Sequence, residues 1–509
     1  MANKNTERIA KNTLVLYMRM LFLMFIGLFT SREILAALGV EDYGIYNVVG
    51  GFVSMFSLVS SALTSSCTRF INYEMGAGNP QRLRTVFSTT VTIQYCLTII
   101  IAILCETIGL WYVNSKMVLP PERLYAANWC FQLSVISFCL NLIQVPYNAA
   151  IVAHEDMKTF AYVSIFEGVA KLGICFLIMY SPFDRLIFYA ILLFVISLII
   201  RIVYQVYCRR HYAECKYYFV LDKTFLRQIF SYTGWHLIGN GSAILRNQGV
   251  NIVLNLFFGP VLNAAKGVGS QVQHVVTRFA GNFMMALNPQ ITQSYAKKDY
   301  QYMFNLVYRG SRFSFYILFL LGLPILVNAN YLVHLWLKEV PNYAVAFAQL
   351  GLVDAMVQAM SNTLITAQNA TGRVRNYQLV VGGLQMLVFP LAYLVLYLGY
   401  SPLAVMWVSV IMDIIMLLAR FYMIPLTIKE FKPNDYFKKV VAICLVVAFA
   451  ASAIPIIIKF MLPENVWTIL LNVMICLLIS SVCIYYIGCS MGERRQIVGY
   501  IRKFKNKII

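Results

Sequence analysis

An all-α polytopic membrane protein of about 14 transmembrane helices is the fold class this sequence predicts, and three observations predict it. Of its 509 residues, 60% are hydrophobic and 12% are charged. Ordinary globular proteins are about 25% charged, so there are too few charges here to cover a water-facing surface. Mean hydropathy is +0.70, and apolar runs of the roughly 20 residues needed to cross a hydrocarbon core recur along the chain. These observations rule out a cytosolic or secreted enzyme, a disordered chain and a coiled coil.

The first span runs from about Asn12 to Ala37. It is not a cleavable signal peptide, because Arg19 interrupts its apolar core and no small-residue cleavage pattern follows. The next five run from about Val48 to Asn72, Thr85 to Val113, Leu124 to Ala153, Phe160 to Tyr180 and Leu186 to Cys208. Six more run from about Gln228 to Phe257, Val261 to Asn288, Phe313 to Ala329, Tyr343 to Gln368, Asn376 to Leu398 and Leu403 to Ile428. The last two run from about Phe437 to Ile458 and Val466 to Ile487.

The net charge of +20 is distributed by loop. Lys216, Lys223 and Arg227 lie in the sixth loop, Lys297, Lys298 and Arg309 in the eighth, Arg373 and Arg375 in the tenth, and Lys429, Lys432, Lys438 and Lys439 in the twelfth. The tail adds Arg494, Arg495, Arg502, Lys503, Lys505 and Lys507. The odd loops are near neutral or acidic, as with Glu41 and Asp42. The positive-inside rule then places both termini in the cytoplasm, and an even span count agrees. Outside the tail there is no basic block of useful length, so nucleic acid is not an expected partner. Membrane lipids are.

The 12 cysteines form no CxxC pair and mostly sit inside apolar runs, as buried small hydrophobes do; no metal and no cofactor is expected. There is no phosphate-binding G-x-x-x-x-G-K-[ST] loop, no HExxH and no GxSxG. The chain is therefore not expected to be an enzyme, and energy for transport would come from a proton or sodium gradient, the membrane potential or the substrate gradient.

An internal repeat lies beneath the spans. Leu38-Gly39 through Tyr43-Gly44 resembles Phe258-Gly259 through Asn263-Ala264, and the Gly78-Asn79 turn corresponds to Lys298-Asp299. Ala153 through Tyr162 resembles Ala367 through Tyr377 at a similar offset. The expected organisation is a six-helix lobe over 1–220, a second over 221–432, and two extra helices with a basic tail over 433–509. Six spans is an even number, so the lobes are parallel repeats, a design that rocks about a central cavity.

Ionisable residues at bilayer depth cost about 2.5–3.5 kcal/mol each on insertion scales and so tend to face a cavity or a partner. Arg19 lies in the first span, Arg69 in the second, His236 and Arg246 in the seventh, and Lys266, His274 and Arg278 in the eighth; Asp354 and Asp413 are among the few acids. Glu167 and Lys171 stand i,i+4 on one helix and can neutralise each other. Arg201 and Arg420, near cytoplasmic ends, are expected to snorkel to the headgroups. The arginines suggest a cationic cavity suited to a phosphate, the alternative being structural pairing with the few acids and with backbone carbonyls; His236, His274, Asp354 and Asp413 are candidate ion or proton sites.

The stretches LGVEDYGIYNVVGGFVSMF (Leu38 to Phe56), TRFINYEMGAGNPQRL (Thr68 to Leu83), PYNAAIVAHEDMKTFAYVSIFEG (Pro146 to Gly168) and NQGVNIVLNLFFGPVLNAAKGVGSQV (Asn247 to Val272) resemble bacterial oligosaccharide flippases. These are the polysaccharide transporters of the multidrug/oligosaccharidyl-lipid/polysaccharide exporter (MOP) superfamily. The resemblance implies a protein of the bacterial inner membrane that flips undecaprenyl-pyrophosphate-linked repeat units for O-antigen, capsule or exopolysaccharide. Its partners would include other polysaccharide-assembly membrane proteins. It implies pyrophosphate contacts at Arg19, Arg246, Arg278 and Arg69, carried over by position in the spans. The alternatives are a cation-coupled multidrug antiporter of the same superfamily and a flippase for peptidoglycan precursors.

Overall fold

The computed structural model describes residues 2–499 apart from 55, 116–120, 180, 182–183, 221, 259, 337–339, 462, 464 and 497, and for some helical residues, chiefly before position 65, the backbone alone. The residues beyond 499, with Arg502, Lys503, Lys505 and Lys507 of the basic tail, lie outside the described residues. All regular structure among the described residues is helical. The long helices are α1 (Ala2–Ser54), α2 (Ser57–Ala77), α3 (Pro80–Leu104), α4 (Leu124–Ala153), α5 (Met157–Met179), α6 (Arg185–His211) and α7 (Lys223–Phe258). They continue as α8 (Pro260–Ala296), α9 (Tyr300–Trp336), α10 (Ala344–Thr371), α11 (Arg375–Tyr397), α12 (Ala404–Met423), α13 (Ile443–Met461) and α14 (Val466–Cys483).

Ten of these, α3 to α6 and α9 to α14, are long and apolar enough to cross a membrane. The other four are α1, α2, α7 and α8, which open the two halves of the repeat. They carry Arg19, Arg69, Arg246, Lys266, His274 and Arg278. In α2, α7 and α8 runs of Ser, Asn, Gln and Gly dilute the apolar residues, as suits helices that face one another or a cavity rather than lipid.

The repeat reappears in local geometry. Helices begin at Pro80 and Tyr300, at Met157 and Arg375, and at Arg185 and Ala404, offsets of 220, 218 and 219 residues. The chain turns through left-handed backbone at Gly78 (φ 72°) and again at Lys298 (φ 60°). The next residue caps the following helix in both halves: Asn79 Oδ1 accepts from the Arg82 N–H and Asp299 Oδ1 from the Tyr302 N–H, each at 3.1 Å. Such side-chain caps satisfy amide donors that the first turn leaves open. Gly39 breaks α1 (φ 79°, ψ 169°), a conformation open almost solely to glycine. Its counterpart, Gly259, lies outside the described residues, between the end of α7 and the start of α8.

The chain forms two compact units, residues 1–240 with 292–298 and residues 241–291 with 299–509. In the first, α1 packs on α5 and α4 on α6, over a core that includes Ile45, Val49, Phe131, Leu142 and Leu186. A Cβ at Gly168 would stand 2.5 Å from Leu23 Cδ2, so the missing side chain sets the α1–α5 approach. In the second unit α9 packs on α10, and α12 on both α10 and α11, over Val253, Leu254, Phe347, Val388 and Val405. The last two helices belong to this unit. Arg312 donates to the Gly488 carbonyl at 3.2 Å and to Glu493 at 2.7 Å, and the Tyr316 hydroxyl donates to the same carbonyl at 3.1 Å.

Candidate functional site

Three helices of the second unit bring together charges far apart in sequence. Arg246 on α7 is buried, with Asp354 on α10 and Asp413 on α12 buried beside it. Its guanidinium forks onto Asp413, Nη1 donating to Oδ1 at 2.6 Å and Nη2 to Oδ2 at 3.0 Å. Nη2 also donates to Asp354 Oδ1 at 2.9 Å. Gln358, one turn after Asp354, closes the ring: its Nε2 donates to Asp354 Oδ2 and Asp413 Oδ2, both at 2.9 Å. All four carboxylate oxygens therefore accept from nitrogen. A forked guanidinium–carboxylate contact of this kind is among the stronger protein hydrogen bonds, and removing one partner would leave an uncompensated buried charge.

Arg246, Asp354 and Gln358 of this cluster line a cavity of about 720 Å³ within the same unit. Much of the remaining lining is carboxamide and hydroxyl, including Asn247, Gln248, Asn251, Gln273 and Gln385, and no Phe, Tyr or Trp lines it among the described residues. Lys266 faces this cavity from α8, donating to Asn251 Oδ1 at 2.7 Å and to the Asn247 carbonyl at 3.5 Å. With both acids ionised, Arg246, Asp354 and Asp413 sum to one negative charge, which Lys266 balances across the cavity.

The sequence-predicted residues are thus divided between the units. Arg246, Asp354 and Asp413 form one cluster, and His274 lines the same cavity. Arg278, one helical turn beyond His274, is exposed and does not belong to the lining. In the first unit Arg19 donates to Ser164 Oγ at 3.1 Å and lies over the Phe160 ring at 4.7 Å. Arg69 lies over Phe70 and Tyr73 at 4.5 and 4.8 Å. His236 is buried against Tyr232, with ring centroids 4.5 Å apart.

At Arg246 the structure takes the pairing alternative, its charge being neutralised by two carboxylates. Two expectations change. Arg201 does not snorkel but is 5% exposed, stacked over Tyr147 at 4.6 Å. Arg420 donates to Tyr377 Oη and Ser361 Oγ, both at 3.0 Å, instead of reaching for headgroups. Glu167 and Lys171 do pair, at 2.7 Å, and line a separate cavity of about 410 Å³ in the first unit. Sequence reasoning missed Gln358 and the carboxamide lining. The i,i+4 spacing of Asp354 and Gln358 was the available signal.

The MatE family model matches residues 9–177. Comparison with curated proteins finds no match. Solved structures do match. A multidrug resistance MATE family transporter of the MOP superfamily, in an outward-facing conformation, aligns at 12% identity over 82% of this chain and 95% of its own, with a TM-score of 0.70. A MOP superfamily transporter from Pyrococcus furiosus, whose reversed binding-pocket polarity suggests a different function, aligns at 13% identity over 82% of this chain and 95% of its own, with a TM-score of 0.66. The MATE transporter ClbM in complex with Rb+ aligns at 12% identity over 86% of this chain and 97% of its own, with a TM-score of 0.65. None of these three is described as an oligosaccharide flippase. The chain has the fold of MATE transporters.

Proposed function

We propose that this multi-pass membrane protein is an ion-coupled secondary transporter of the MATE kind, with its coupling site at Arg246, Asp354 and Asp413. The observation that carries this reading is a buried pair of carboxylates sharing one guanidinium, with the guanidinium and one of the carboxylates, Asp354, at the wall of a polar cavity. One proton added to the pair takes the cluster from one negative charge to neutral. In a low-dielectric interior a unit of net charge is worth several kcal/mol, enough to change which arrangement of the unit is favoured. The proton gradient could then drive the cycle without ATP. Both termini lie in the cytoplasm in this proposal, on the loop charges.

The cavity lining supports a polar substrate. Carboxamides and Lys266 bind polar groups, and a wall without Phe, Tyr or Trp among the described residues offers little to a flat lipophilic cation. The substrate is therefore polar. A lipid-pyrophosphate oligosaccharide is the second reading, favoured by the same carboxamides, which can donate to and accept from sugar hydroxyls. Purified protein in liposomes separates the readings. An imposed pH gradient should drive transport in the native protein, and Asp413→Asn should abolish that drive. Transport indifferent to the gradient and to this substitution would reject the coupling site. Movement of a lipid-pyrophosphate oligosaccharide between leaflets would decide for the second reading.

A further inference from the structure

The fold includes a solved transporter in complex with Rb+, so the carboxylate pair of the second unit can be asked whether it suits an alkali cation. Such ions are held by several oxygens pointing at one place. Here Asp413 Oδ1 and Oδ2 and Asp354 Oδ1 all accept from the Arg246 guanidinium, and the remaining Asp354 Oδ2 accepts from Gln358, all within 3.0 Å. No group of three or more His, Cys, Asp and Glu residues able to hold a metal ion exists among the described residues. The other ionisable groups lining the cavity are Lys266 and His274 on α8, and the ammonium of Lys266 would repel a cation. The residues do not fit a metal ion.

We infer that the Arg246 guanidinium is a tethered cation, fixed where a free alkali ion would otherwise bridge Asp354 and Asp413, and that this pair excludes Na+ and Rb+ in the native protein. The inference rests on reading this cluster as the coupling site, and it restricts the coupling ion to the proton. It also makes a demand that a merely structural salt bridge would not. Removing the guanidinium leaves two carboxylates and a space between them, the elements of an alkali site.

The test is equilibrium binding of radioactive Rb+ and Na+ to the full chain, purified in detergent and choline buffer. Native protein and Arg246→Lys, which keeps a tethered cation, should bind neither ion saturably. Arg246→Met should bind about tenfold more of one of them or better, and Asp413→Asn added to it should remove that binding. Saturable binding by native protein that Asp413→Asn abolishes would overturn the inference. So would a monodisperse Arg246→Met that binds no more than native protein. Should Arg246→Met fail to fold in choline, refolding in RbCl but not in choline would support the inference; failure in both leaves native protein and Arg246→Lys to decide, and saturable binding by either would overturn it. Because no transport is measured, loss of proton-driven transport would reject the proposed function while leaving this result in place.

Discussion

Arg246→Ala should destabilise the protein far more than Asp354→Asn, although each removes one member of the same cluster. The native cluster holds one cation and two anions, with side-chain exposures of 7%, 7% and 3%. Arg246→Ala leaves two buried carboxylates with Gln358 as their shared donor. Breaking a buried pair in this way costs about 3–5 kcal/mol, and two like charges put this case at the upper end. Asp354→Asn removes one charge-assisted contact, worth about 1.5–3 kcal/mol, but brings the cluster to neutrality and leaves the fork onto Asp413 whole. Its net cost should fall to about 1 kcal/mol. Asp413→Asn loses the fork itself and should lie between them. Thermal unfolding in detergent, in choline buffer at neutral pH, measures the order. The double variant Arg246→Ala/Asp413→Asn should be more stable than Arg246→Ala alone, the coupling that a double-mutant cycle reads. Arg246→Ala as stable as Asp354→Asn would refute the charge count.

Gly39→Ala should cost about 1–3 kcal/mol from backbone strain alone: a Cβ there meets nothing within 4 Å, yet φ is 79° and ψ 169°. Gly78→Ala, at φ 72° and ψ 26°, should cost about 1–2 kcal/mol, and unfolding midpoints would check that order. Glu493→Gln weakens the buried acceptor of Arg312 and Arg309, at 2.7 and 3.1 Å, and should speed protease cleavage near Gly488; unchanged cleavage would show that these contacts do not hold the segment. At the turn between α4 and α5, burial pushes the Asp156 carboxyl up, but the Tyr207 hydroxyl at 2.6 Å and the Thr159 N–H at 3.3 Å outweigh it and hold it below 3.8. A depressed carboxylate stabilises above its unfolded value and loses that effect as pH falls through its folded one. The protection factor at this turn, its exchange rate corrected for the intrinsic rate at each pH, should therefore be steady from pH 7 to about 5 and fall in stronger acid, and Asp156→Asn should remove the dependence.

The helix count was legible because lipid leaves few choices: a spanning segment must satisfy its own backbone and be apolar for its length. The repeat was legible because its turns need special backbone, and Gly78-Asn79 and Lys298-Asp299 mark the same corner twice. The site was legible residue by residue, since Asp354 and Asp413 each interrupt an apolar run and Arg246 is a charge in the middle of a span. Their meeting was not. Arg246 lies 108 positions from Asp354 and 167 from Asp413, and hydropathy carries no information about which helix faces which. Arg201 and Arg420 misled for the same reason. Position near a helix end predicts snorkelling, but the ring of Tyr147 and the hydroxyl of Tyr377 were already within reach.

Pairing also changes what the cavity can attract. Four arginines counted from sequence make a strongly cationic interior, whereas the second unit holds a closed arginine–aspartate cluster and a lysine bonded to an amide and a carbonyl. A phosphate could reach the Arg246 guanidinium only by displacing a forked carboxylate, exchanging one charge-assisted pair for another with little net gain. Lys266 needs no such exchange, because the oxygens it now holds are neutral and cede readily to an anion. If an anionic head enters this cavity, Lys266 is the group that meets it. Arg246 then serves the two aspartates, holding its place by charge and leaving the substrate to the amides around it.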